Sequence, residues 1–110
     1  MLTIVPGSSR GFNFAAREGS GMYICFAEYR IAEEHRERYL GLMAGLRASH
    51  PEMYLYEGTD QPGLFVEVWQ ARTKEEADGI RAMRLSDDAA WAAVNRLASG
   101  KVHAWVFGSV

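Results

Sequence analysis

The sequence predicts one α+β domain with elements in the order βαββαβ, and three observations carry this. A run rich in aromatic and branched residues is followed by a stretch with helical spacing; a turn-rich segment divides two β-like runs; and a capped, alanine-rich stretch precedes a final alternating run. That order is the ferredoxin-like one, with a four-stranded antiparallel sheet and helices against one of its faces. At 110 residues the chain has room for one core and not for two.

Taken in order, residues 1–21 hold Gly7, Gly11, Gly19 and Gly21 with Ser8, Ser9 and Ser20, which breaks any period and marks an N-terminal arm. Leu2, Ile4, Phe12 and Phe14 are expected to pack this arm on the domain that follows, residues 22–110, or on its partner. Residues 22–31 are apolar on both alternating faces, as in a strand covered on two sides. Over 33–47, Tyr39, Leu42, Met43 and Leu46 fall at i, i+3, i+4 and i+7, an amphipathic helix. Pro51 disfavours helical geometry at His50 and ends it. Residues 53–57 and 64–70 then form a hairpin around the turn formers at 58–63. In Thr73-Lys74-Glu75-Glu76 the threonine oxygen accepts the amide three residues on and the glutamate returns a bond, so a helix starts at Lys74. This helix carries Ala77, Ile80 and Met83 inward. A second start at Ser86-Asp87-Asp88 leads a stripe of Ala90, Val94 and Leu97 with Trp91 beside it, and residues 101–107 alternate as the last strand.

The helices cover one sheet face, and the strands are apolar on both. Leu64, Val66 and Val68 oppose Phe65, Glu67 and Trp69; Val102, Ala104 and Val106 oppose His103, Trp105 and Phe107. Were Phe65, Trp69, Trp105 and Phe107 all turned to water, they would expose roughly 600–1,000 Å². Covering that area releases about 15–25 kcal/mol per chain, against about 4–15 kcal/mol for association. A homodimer through the sheet is expected; alternation does not say which face meets the partner.

The run Leu64-Phe65-Val66-Glu67-Val68-Trp69, followed by Thr73-Lys74-Glu75-Glu76-Ala77 within this order of elements, resembles the antibiotic-biosynthesis-monooxygenase family of the dimeric α/β-barrel superfamily. The resemblance covers residues 22–107. It implies a sheet-to-sheet dimer with a pocket between the sheet and helices of each chain. Of the chemistries in this family, it implies either oxygenation of a planar apolar small molecule without a cofactor or haem opening. The haem-degrading members use an asparagine, a tryptophan and a histidine, and Tyr29, Asp78 and Asp88 align with these places, so haem chemistry is not expected and no cofactor is assigned.

The candidate catalytic residues are Glu67 and His103. Glu67 has apolar neighbours that would raise its pKa and make it a base, or it is a structural acid paired across the dimer. His103 shares a face with Trp105 and Phe107 and relays a proton near neutral pH, or is simply a hydrogen-bonded strand histidine. Tyr29 and Trp69 are the candidate substrate-binding residues, suited to stacking a planar ligand, with Tyr39, Tyr54 and Tyr56 read as core. The competing function is a non-catalytic dimeric module that binds a small ligand, or a scaffold filled by its own side chains.

Other classes find no support. The net charge of -2 leaves no basic stripe, so nucleic acid is not an expected partner. His35 and His50 read as surface residues, and no histidine pair has metal spacing. Phosphate-loop, nucleophile-elbow and dinucleotide motifs are missing from the sequence. No apolar run is long enough for a membrane partner, the opening residues lack a signal pattern, and the lone Cys25 fits a reducing cytoplasm.

Overall fold

A computed structural model describes residues 22–110, so the expected arm over 1–21 and its packing lie outside the described residues. The strands are β1 (Tyr23–Arg30), β2 (Met53–Glu57), β3 (Leu64–Ala71) and β4 (His103–Gly108), and the helices α1 (Arg36–Ser49), α2 (Lys74–Arg84) and α3 (Ala89–Leu97). A short 3₁₀ turn, Glu33–His35, leads into α1. The strands form one antiparallel sheet in the order β2-β3-β1-β4, the ferredoxin-like α+β arrangement the sequence predicts.

Thr73 caps α2 by accepting the Glu76 amide at 3.1 Å, and the Glu76 carboxylate takes the Arg72 amide at 2.7 Å, one residue before the expected one. Asp88, and not Ser86, caps α3; Ser86 instead donates to the Met83 carbonyl. That register buries Trp91 and Val94 and leaves Ala90 exposed, which corrects the expected stripe.

Alternation along each strand decides the two faces. Cys25, Ala27, Tyr29, Phe65, Glu67, Trp69 and Ala104 lie beneath the helices with Tyr39, Met43, Trp91 and Val94. Ile24, Phe26, Leu64, Val66 and Val68 occupy the open face with Tyr54, Tyr56, Trp105 and Phe107. Phe65 and Trp69 therefore do not share a face with Trp105 and Phe107. Tyr54 and Tyr56 are 42% and 56% exposed, so the expectation that they belong to the core is corrected as well. Their strand is at the sheet edge and turns them away from the helices. The four open-face rings, each about half exposed, present roughly 300–500 Å², still at the level of the largest patch on a typical monomer.

The β2–β3 turn is clamped by charge. Arg36 holds the Glu57 carboxylate through two hydrogen bonds of 2.6 and 2.8 Å, and the Gly63 amide adds a third of 2.9 Å. Gly63 has φ +89°, and a Cβ there would lie 2.9 Å from the Ile31 carbonyl oxygen, so a side chain is excluded twice over. The Arg36 hydrogen bonds, then the Gly63 amide, pull the Glu57 pKa from 4.5 down to about 2. A lowered carboxylate stabilises the fold above its unfolded value and loses that contribution as pH falls through the folded one. The melting-temperature gap between wild type and Glu57→Gln is therefore expected to be widest near neutral pH and to close between 4.5 and about 2. Thermal melts across that range check this, and a gap independent of pH contradicts it.

Candidate functional site

Between sheet and helices lies a polar centre built on Glu67. An acid at this position of β3 points under α2, and both Glu67 and Arg84, the last residue of α2, have 0% exposure. Arg84 Nε donates to Glu67 Oε1 at 2.8 Å, and Nη2 donates to Oε2 at 2.8 Å. The Trp69 indole N–H donates to Oε1 at 2.9 Å, and the Tyr29 hydroxyl donates to Oε2 at 2.5 Å.

A carboxylate only accepts, so Tyr29 spends its proton on Glu67. The 2.6 Å contact between the Tyr29 and Tyr39 hydroxyls must then run from Tyr39 to Tyr29. The chain of donors ends at Glu67, whose two oxygens each already hold two partners. Arg84 Nη1 donates to Asn95 Oδ1 at 2.5 Å, which ties α3 to the same centre. The guanidinium carbon lies 4.5 Å from the centre of the Trp91 ring and 5.3 Å from that of Tyr29, so aromatic rings wall the ion pair off from water.

The electrostatics follow from this enclosure. Burial pushes the Tyr29 hydroxyl far up, and the Glu67 charge adds to it; burial likewise raises Tyr39. Cys25, whose register partner is Trp69, is raised to about 11 by burial and then by Glu67, which leaves a thiol and not a thiolate near neutral pH. Burial opposes the charge on Arg84, but the hydrogen bonds and charge of Glu67 outweigh it and its pKa is raised.

The structure brings Tyr29, Glu67 and Trp69 together. His103 lies on the open face, stacked on Trp105 with ring centroids 5.6 Å apart at 8°. The sheet separates it from Glu67. The expected pairing of Glu67 across a dimer is corrected, because its partner is Arg84 of the same chain. His50, expected at the surface, packs its ring 5.2 Å from Trp69 and 6.0 Å from Trp91 and covers that end of the centre.

Sequence reasoning missed Arg84, Asn95 and the polar role of Tyr39. A signal existed for Arg84. It falls on the same α2 stripe as Ala77 and Ile80, and a charge on an inward stripe calls for the one acid on an otherwise apolar inward strand face.

No protein-family model matches the chain, and no curated protein matches it. Among solved structures, an antibiotic biosynthesis monooxygenase is 16% identical with a TM-score of 0.65, over 81% of this chain and 99% of that one. A conserved protein from Methanosarcina mazei is 9% identical, also with a TM-score of 0.65, over 82% and 95%. A NIPSNAP family protein from Agrobacterium tumefaciens is 15% identical with a TM-score of 0.59, over 80% and 85%. Further neighbours carry the antibiotic-biosynthesis-monooxygenase name, and the chain resembles that family in fold.

Proposed function

We propose that the chain is a non-catalytic homodimeric module of this fold, a small-ligand-binding or scaffold protein whose interior is held by its own side chains. The observation that carries the reading is the Glu67 carboxylate, with two donor residues on each oxygen and no exposure. A general base needs a free lone pair within reach of substrate and a proton affinity poised for the task. Glu67 has neither an unoccupied direction nor any exposure, and both of its oxygens are already engaged by Arg84 of the same chain.

The second copy is the partner that fits the open face. Its four rings, at roughly 300–500 Å² per chain, release about 15–25 kcal/mol per dimer when covered, against about 4–15 kcal/mol for the lost freedom of association. Among the described residues no helix is long and apolar enough to cross a membrane. The buried Cys25 thiol suits a reducing compartment such as the cytoplasm.

A cofactor-independent oxygenase acting on a planar apolar molecule is the second reading. The name borne by several fold neighbours supports it, as does the convergence of Tyr29 and Trp69 beside Glu67. Oxygen uptake with hydroquinone-type polyketides in air separates the two. The module reading predicts the same background rate for wild type, Glu67→Gln and Tyr29→Phe. Uptake by wild type that either substitution abolishes would overturn it in favour of the oxygenase.

A further inference from the structure

We propose that His103 makes the association of two copies pH-dependent, the dimer weakening as the imidazole gains a proton. This rests on the homodimer reading and adds the regulation of that face. His103 and Trp105 are two residues apart on β4, and their rings stack at 5.6 Å. Trp105 in turn meets Phe26 at 6.3 Å, and Phe26 meets Phe107 at 6.2 Å. The imidazole is thus continuous with the aromatic patch that a second copy covers.

Among the described residues the charged groups around it are few: no described helix packs on the open face, so they come from the two strands and the approach to β4. Glu28 is its register partner on β1, Arg30 is the next residue of β1 on that face, and Lys101 precedes it by two residues. Arg30 is engaged with the Gln61 side chain at 2.7 Å, and Lys101 is exposed. Among the described residues Glu28 forms no ion pair with His103, while both other histidines lie within 4.0 Å of a carboxylate. The positive form of His103 therefore has water as its main partner, and a docking copy removes that water.

Taking hydration from an imidazolium costs far more than taking it from a neutral ring stacked on tryptophan. Association then favours the neutral form and expels a proton. Histidine changes charge between about pH 5 and 8, so assembly is full at the upper end of this window and is lost toward the lower end. A two-fold dimer contains two copies of His103, so log Kd rises by up to about two for each pH unit of acidification below the midpoint.

The test is sedimentation equilibrium of the full chain between about pH 5.5 and 8, for wild type, His103→Gln, His103→Phe and His50→Gln. The expected result is a wild-type Kd that rises more than about tenfold on acidification, a change kept by His50→Gln and flattened in both His103 variants. A wild-type dimer with a flat Kd, or a pH dependence that survives in the His103 variants, overturns the inference and leaves the homodimer standing. A monomer at every pH overturns both.

Discussion

Replacing Arg84 with methionine is expected to cost about 3–5 kcal/mol of folding stability, the penalty for leaving a buried carboxylate without its counter-charge. For a domain of this size that corresponds to a fall in melting temperature of at least about 12 °C. The reason is specific to the arrangement. Glu67 has no exposure, and without Arg84 its oxygens retain only the Tyr29 hydroxyl and the Trp69 indole as donors. Glu67→Leu alone is expected to be costly too, since it strands the guanidinium and removes the acceptor for both ring donors. The triple change Glu67→Leu, Arg84→Met, Tyr29→Phe removes the charges together and one orphaned hydroxyl with them. It is expected to be far less damaging than the sum of its parts, because contacting residues share their energies. Urea titrations of the set measure this. An Arg84→Met cost within about 0.5 kcal/mol of zero, the scale of an ordinary surface substitution, would show that the ion pair does not hold the interior.

The second large effect is at the other face. Trp105 is 44% exposed and sits among Phe26, His103 and Phe107. Its replacement by aspartate is expected to weaken the dimer by about a thousandfold or more, from two tryptophan anchors at about 2 kcal/mol each. The folded chain itself should be little affected, because the residue faces away from the helices. Light scattering on a gel-filtration column should read a monomer mass with an unchanged far-UV circular dichroism spectrum. A dimer mass for Trp105→Asp would place the interface elsewhere.

The order of elements was legible because each carries a local signal: the alternation of β3 and β4, the threonine cap of α2, the turn formers between β2 and β3. Element ends moved by a residue or two, as at α3, where Asp88 competes with Ser86 for the cap. Alternation could not say which face meets the helices, since Leu64, Val66 and Val68 are as apolar as Phe65 and Trp69. The same ambiguity hides, in the sequence, that Phe65 and Trp69 lie on one face and Trp105 and Phe107 on the other. Glu67, Tyr29 and Trp69 were legible as polar or aromatic residues inside an apolar strand pattern. Arg84 carried only the weaker signal of its place on the α2 stripe, because a charged residue at the end of a helix ordinarily reads as a solvated cap, and the crossing of α2 over β3 is what brings it to Glu67. The separation of His103 from Glu67 has the same origin: strand register assigns their faces, and register is a property of the folded sheet.

The homodimer proposed for the open face is tested most directly by the mass of the chain in solution. Native mass spectrometry at micromolar concentration and slightly alkaline pH is predicted to give twice the chain mass of 12.3 kDa. A single species at 12.3 kDa would contradict the account.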